Sequence, residues 1–226
     1  MTYALPDRVL QSAIARTPKL LRLVGRDCTV LDVGCYNGDL ARFMLARGCT
    51  VVGVERDPDA AAEASQHCER VVIGDVEDPR VMTQVAGSFD VVVMADVLEH
   101  LLRPEAVLAW AVGCLKPTGF LVVSMPNVAF WRLRLDLLRG RFDYQDSGPL
   151  DRSHLRFFTR RTAEEMFARA GLRVLETDGA NGELPLQGLL RVIPSFRDSL
   201  ITCGMQRRPS LFATQLIWRL SPVSRG

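Results

Sequence analysis

The apolar positions of this chain fall into short runs separated by stretches of helical spacing. Val30-Leu31-Asp32-Val33, Thr50-Val51-Val52-Gly53-Val54-Glu55, Arg70-Val71-Val72-Ile73, Phe89-Asp90-Val91-Val92-Val93-Met94 and Phe120-Leu121-Val122-Val123-Ser124 are rich in β-branched residues and nearly continuous in apolar character. Such runs predict strands buried on both faces, because a strand with one wet face alternates instead. Between them the spacing changes to three and four, which predicts helices over Leu40–Arg47, Pro58–Cys68 and Pro104–Leu115. The last two open on a proline, which the first turn of a helix tolerates. Lys116-Pro117-Thr118-Gly119 reads as a turn ahead of the fifth strand. Strands alternating with helices predict a parallel sheet covered on both sides. Met1–Val24 carries Asp7, Arg8, Arg16, Lys19 and Arg22 within an apolar pattern. This predicts one or two amphipathic helices rather than a signal peptide.

The alternation stops near residue 128. Residues 128–161 hold Phe130, Trp131, Arg132, Arg134, Arg139, Arg141, Phe142, Tyr144, Arg156, Phe157 and Phe158. They predict a helix and loop inserted over the ligand edge of the sheet. Thr162-Ala163-Glu164-Glu165 has the spacing of a capping box, with Thr159 an equally suitable N-cap, and the helix it opens ends at Gly171. Leu172–Thr177 predicts a sixth strand and Leu211–Leu220 a last one, with a looser helical segment between. Trp218 with Arg207, Arg208 and Arg219 would also suit a membrane surface, but a terminal strand with charged ends accounts for the same pattern.

With 226 residues the chain is expected to form one domain over 1–226, with an N-terminal helical segment at 1–26 and an insertion at 128–161. A composition 48% hydrophobic and 24% charged suits a soluble, cytoplasmic protein, and no apolar run reaches the roughly 18 residues of a membrane span. Cys28, Cys35, Cys49, Cys68, Cys114 and Cys203 show no metal-binding or redox spacing and read as reduced thiols. His67, His100 and His154 include no i,i+4 pair, so no metal is expected. The net charge of +2 hides an asymmetry: residues 1–127 sum to −4 and residues 128–226 to +6. The basic half is expected to face an anionic partner.

The chemistry concentrates at strand ends. The first strand runs into Asp32-Val33-Gly34-Cys35-Tyr36-Asn37-Gly38, a glycine turn before a helix, which lets backbone approach a nucleotide-like ligand. A dinucleotide site needs glycines at the first, third and sixth positions. Here those positions are Gly34, Tyr36 and Asp39, so that reading fails. Glu55 ends the second strand, where a carboxylate can accept from both hydroxyls of a ribose. Asp75, in Gly74-Asp75-Val76, can accept from an exocyclic amine such as adenine N6. Asp90 lies in the fourth strand, ahead of Ala95-Asp96-Val97-Leu98-Glu99-His100. Leu115-Lys116-Pro117-Thr118-Gly119-Phe120 completes the series.

In this order and spacing these motifs resemble those of class I S-adenosylmethionine-dependent methyltransferases, from Val30 to Pro126. Met125-Pro126-Asn127-Val128 and Leu150-Asp151-Arg152-Ser153-His154-Leu155-Arg156-Phe157-Phe158-Thr159 look like a bacterial subgroup associated with sugar, polysaccharide and secondary-metabolite pathways, which extends the resemblance to Gly171. The resemblance implies a Rossmann-like three-layer α/β sandwich. Its mostly parallel, seven-stranded sheet would have an antiparallel last strand and an inserted helix/loop lid. It assigns the Asp32–Gly38 loop, with Gly34 and Cys35, to the methionine part of the cofactor, Glu55 to the ribose, and Asp75 with Val76 to the adenine. Arg56, Ala95 and Asp96 complete the set. Tyr36 stands where the family has glycine. A tyrosine at positive φ is unfavourable, so the loop is expected to turn differently there, or Tyr36 to narrow the methionine pocket.

The expected reaction is O-methylation of a sugar, glycan or secondary metabolite, leaving S-adenosylhomocysteine. The acceptor is a small molecule, anionic or phosphorylated on the charge asymmetry, and the protein a monomer or homodimer with no nucleic-acid partner. A hydroxyl acceptor needs a base, and histidine is matched to neutral pH. His154, among polar and basic neighbours, ranks ahead of His100; His67 reads as a surface residue. Tyr36, Asn127, Trp131, Arg152 and Arg156 are the expected substrate contacts, with Arg132 and Arg134 available to grip a phosphate or carboxylate. Two other classes fit parts of the pattern. An RNA methyltransferase would use the basic, aromatic segment 128–161 but sits poorly with a near-neutral chain. The other is a regulatory or accessory protein that keeps the fold and has lost its chemistry; Asp32, Glu55 and Asp75 argue that ligand binding, at least, is retained.

Overall fold

The computed structural model describes residues 14–85, 87–185 and 194–223. Seven strands form one sheet: β1 (Thr29–Val33), β2 (Thr50–Glu55), β3 (Arg70–Ile73), β4 (Phe89–Ala95), β5 (Leu115–Pro126), β6 (Leu172–Gly182) and β7 (Ala213–Pro222). Their order is β3-β2-β1-β4-β5-β7-β6. The first five pair in parallel, and β7 runs antiparallel between β5 and β6. The helices are α1 (Arg16–Val24), α2 (Asp39–Leu45), α3 (Pro58–Ala64), α4 (Pro79–Met82), α5 (Pro104–Gly113), α6 (Trp131–Leu138), α7 (Arg160–Arg169), α8 (Pro194–Arg207) and α9 (Pro209–Phe212).

Successive residues of a strand point to opposite faces, so each apolar run feeds two cores. Leu31, Val33, Val92, Met94, Leu121, Val123 and Trp218 pack on one face with Val107 and Leu108 of α5 and Phe167 of α7. Val30, Val91, Val93, Val122 and Ile217 pack on the other with Leu20, Leu21 and Val24 of α1 and Met44 of α2. Two covered faces explain why the strands read as continuous rather than alternating. Among the described residues no helix is long and apolar enough to cross a membrane. Trp218 is fully buried edge-on to Phe167, with ring centroids 5.4 Å apart, so it serves the core and not a membrane surface.

Several boundaries differ from the sequence pattern for identifiable reasons. α3 stops at Ala64, and the amides of residues 65–68 close turns onto Ala61, Glu63 and Ala64. β5 starts at Leu115, and the Lys116–Gly119 turn lies within it as an irregularity, where the register jumps from Phe89↔Leu115 to Val91↔Phe120. Asp90 belongs to this irregularity and not to a ligand site. It accepts from Thr29 N at 2.9 Å, Thr29 Oγ1 at 2.8 Å and Lys116 Nζ at 2.8 Å, at the end of the sheet away from the ligand edge. The Lys116 contact, followed by the Thr29 bonds, holds its carboxyl down at about 2. β6 continues to Gly182 because β7 pairs with it as far as Ala213. β7 begins at Ala213, two residues later than expected, because Pro209–Phe212 forms a helical turn first. The first thirteen residues of the expected N-terminal helical segment lie outside the described residues.

Of the two possible caps for α7, the chain uses Thr159. Its Oγ1 accepts from Thr162 N at 3.2 Å, while Thr162 Oγ1 accepts from Thr159 N at 3.0 Å. Thr159→Ala removes this cap and should cost about 1 kcal/mol of stability, read as a lower urea midpoint at unchanged slope.

Candidate active site

The loop after β1 is shaped by two left-handed glycines. Gly34 has φ 70°, and a Cβ there would lie 2.7 Å from Val97 Cγ2. Gly38 has φ 80°, and a Cβ there would lie 2.8 Å from Ala64 Cα, so α2 and α3 approach closely only with glycine. Tyr36 does not divert the turn, contrary to expectation. It is left-handed at φ 49°, with its amide donating to Glu55 Oε2 at 2.8 Å. A charge-assisted bond to a buried carboxylate offsets the backbone strain. Tyr36 is 65% exposed, at the rim of the cavity over this loop rather than filling it.

Three cavities meet along the C-terminal edge of the sheet. One of about 200 Å3 lies over β2 and β3, lined by Glu55, Arg56, Asp75, Val76, Asp96 and His100. A second of about 260 Å3 lies over the glycine loop, lined by Arg16, Asp32, Cys35, Tyr36, Asp39 and Ala95. Gly34 borders both. A third of about 270 Å3 opens beneath the insertion, lined by Asp96, Glu99, Asp151, His154, Asn181 and Gln215. Asp96 borders the first and the third.

Glu55 and Asp75 are held in place by backbone amides. Glu55 accepts from the amides of Tyr36, Arg56 and Asp57 at 2.8, 2.8 and 3.0 Å. Asp75 accepts from Glu77 N through Oδ1 at 2.8 Å. Asp32 is 2% exposed, and its Oδ2 has no partner. Burial pushes its carboxyl up to about 7, against the opposing pull of Arg16. Asp39 stands in the first turn of α2, where a phosphate would bind in a dinucleotide site. These cavities therefore favour a cationic nucleoside over an anionic one.

Asp96 joins the cavities. It accepts from Ser124 Oγ at 2.8 Å and from Gln215 Nε2 at 2.6 Å, and pairs with Arg16. It is left-handed at φ 61°. Among the described residues four non-glycines have positive φ, and three of them, Tyr36, Asp96 and Asn181, line these cavities. Such strain persists where surrounding bonds over-determine it, which marks functional sites.

The substrate side departs from expectation. Asn127 is fully buried, and its amide donates to the carbonyls of Ser210 and Ala213 while accepting from Ala129 N. It ties β5 to β7 and is not available to a ligand. Trp131 donates Nε1 to the Glu183 carbonyl at 3.0 Å and anchors α6. Arg156 donates to the carbonyls of Leu101 and Leu102. Arg152 pairs with Asp146 on the surface, Arg132 with Glu183, and Arg134 with the Ala129 carbonyl. None of these arginines lines the third cavity, whose charged walls are acidic. Arg132 and Arg152 sit in exposed ion pairs with carboxylates of the chain itself.

His100 and His154 do come together, with ring centroids 4.8 Å apart. Burial, then the neighbouring His100, lowers the His154 pKa below its ordinary 6.5, so the imidazole is neutral at neutral pH. Arg16, Gln215, Ser124 and Glu99 escaped the sequence reading. Glu99 sits inside a recognised motif, but it is the single helical turn Leu98–His100 that brings it into the cavity wall. Arg16 and Gln215 arrive from distant segments that carry no local signal.

A family described as a methyltransferase domain matches residues 4–177. A ubiquinone biosynthesis O-methyltransferase from Coxiella burnetii is 24% identical over 153 residues, covering 66% of this chain. The match spans 65% of that relative's length, just under two thirds. A protein of the same name from Psychrobacter cryohalolentis is 34% identical over 104 residues, covering 43% of this chain and 40% of its own. A SAM-dependent methyltransferase from Archaeoglobus fulgidus shares the fold at TM-score 0.63 and 17% identity, covering 91% of this chain and 92% of its own.

The buried Asp32 has a pH signature. Its folded form keeps a proton above pH 3.8, where the unfolded chain has released its own, so its contribution to stability falls between about pH 4 and 7 and is flat above that. In the ligand-free protein Asp32→Asn should abolish that decline and raise Tm at pH 8 relative to the parent, measured by calorimetry across pH.

Proposed function

The chain belongs to the methyltransferase-domain family, and from that premise we propose that it transfers the methyl group of S-adenosylmethionine to a hydroxyl of a small molecule, such as a sugar, glycan unit or secondary metabolite. The observation that carries this reading is the meeting of a carboxylate-lined cofactor cleft with a separate acceptor cavity at Asp96. The donor set fits the cofactor. Its adenosine has Asp75 for the amine and Glu55 for the ribose, its ammonium has the unpartnered oxygen of Asp32, and its carboxylate has Arg16. When bound, S-adenosylmethionine supplies an electrophilic methyl carbon on a positively charged sulfur.

The residues of the chain then have three tasks. Glu55, already fixed by three amides, orients the ribose without further ordering cost. Arg16, paired with Asp96 through one nitrogen, lines the cavity where the ligand carboxylate would lie. His154, neutral and with Nδ1 facing no partner, is placed to take the acceptor's proton. A volume near 270 Å3 suits a small acceptor. Acidic walls favour a neutral hydroxyl over a phosphorylated one. The Coxiella burnetii relative is named for transfer to oxygen, which supports the choice of atom.

The test is methyl transfer from radiolabelled S-adenosylmethionine to panels of catechols, free sugars and sugar phosphates, with calorimetry to read cofactor binding. Cofactor binding is expected, with transfer to neutral hydroxyl compounds. His154→Ala should lower kcat about 100-fold while leaving cofactor affinity unchanged. Because the His154 pKa is lowered from 6.5, the acid limb of kcat/KM should lie below pH 6.5. An acid limb above that value would exclude His154 as the base.

A further inference from the structure

Among the described residues, Glu99 is the buried carboxylate with neither oxygen partnered. It is 1% exposed. A buried carboxylate left this way is costly and calls for a proton or a cation. It faces the acceptor cavity, and two imidazoles stand beside it.

The His100 imidazole is braced on one nitrogen. His100 Nδ1 lies 3.2 Å from the Ser153 carbonyl, which can only accept. The hydrogen is therefore on Nδ1, and Nε2 keeps its lone pair. The His154 ring stands edge-on to His100, and its Nδ1 is buried without a partner. A ring nitrogen bonded to a backbone carbonyl is how ligand histidines are oriented. The backbone is stitched together at the same point, since the amides of Leu155 and Arg156 donate to the Glu99 carbonyl at 2.9 and 3.1 Å.

We infer that Glu99, His100 and His154 form a binding site for a divalent first-row transition cation at the wall of the acceptor cavity. One ligand atom from each lies within 4.8 Å of the other two. Metal–ligand distances of about 2.0–2.2 Å place ligands on opposite sides of a cation roughly 4 Å apart, so small side-chain adjustments close the site. Two imidazoles and one carboxylate suit Zn2+, Co2+, Mn2+ or Fe2+ and leave coordination positions open toward the cavity. Asp96 stays outside the set, because Arg16, Ser124 and Gln215 occupy its oxygens.

The role of the cation rests on the methyl-transfer reading; its binding does not. A cation held by Glu99, His100 and His154 would act as a Lewis acid on the acceptor hydroxyl and ease the loss of its proton to solvent at the open cavity. The oxygen pair then forms the O–C bond as the C–S bond breaks and its electrons return to sulfur. His154 serves in that case as a ligand, and the cation does the work otherwise left to a base.

The full chain, stripped with EDTA, is titrated with Co2+ and followed by visible absorption and calorimetry without cofactor or acceptor. The expected result is one Co2+ per chain with d–d bands. Glu99→Gln and His154→Gln should each weaken binding at least tenfold at unchanged circular dichroism. No saturable binding, or binding that survives both substitutions, overturns the site. If Glu99→Gln does not fold, His154→Gln on the partly exposed lid decides alone. Methyl transfer lost on chelation and restored by Mn2+ or Co2+ supports the role, and transfer indifferent to chelation overturns the role. No transfer under any condition counts against the enzymatic reading and leaves the binding result standing.

Discussion

The sheet order places β1 between β2 and β4, and that adjacency governs everything at the ligand edge. From β1 the chain winds one way to β2 and β3; from β4 it winds the other way to β5. The loops leaving β1 and β4 must therefore part, and a crevice opens between them at the carboxyl ends of the strands. Gly34 lines one wall of the crevice and Asp96 the other, with Val97 so near Gly34 that no side chain fits between. Right-handed crossovers then leave little choice about which loops border the crevice. Glu55 and Asp75 belong to it because β2 and β3 are the next strands out.

Charge does the rest of the selecting. Asp32, Asp39, Glu55, Asp75 and Asp96 gather around a cleft with few cations, of which Arg16 is already committed to Asp96. A buried acid such as Asp32, left short of a partner, disfavours an anionic occupant and rewards a cationic one. Arg16 is the exception that a ligand carboxylate would use. Its bond to Asp96 also links α1 to the point where the first and third cavities meet.

Much of this was legible in the residues. The five parallel strands were readable because strands buried on both faces must be apolar throughout. The glycine loop, Glu55 and Asp75 were readable because each stands at a fixed distance from a strand end. Tyr36 was read as a source of distortion, yet it accepts a left-handed backbone, since one bond from a buried carboxylate outweighs a conformational preference. The arginines of residues 128–161 were read as a grip on an anion, although they pair with carboxylates and carbonyls of their own chain. Nothing in a linear pattern shows whether a charge is already paired. Asn127 was misread for the same reason, its amide being spent on Ser210 and Ala213.

The sequence alone thus determined the layer architecture and placed Glu55 and Asp75 at strand ends along one edge of the sheet, because these follow from local periodicity and from residues a few positions from a strand end. Tertiary structure alone decided what surrounds the acceptor. His100 and His154, 54 positions apart, face each other only because the insertion folds back onto the turn after β4, bonded there through the Glu99 carbonyl. Gln215 reaches Asp96 only because β7 enters the sheet antiparallel beside β5. Contacts of that kind are made by chain reversal and packing, and no spacing of residue types along the chain encodes them.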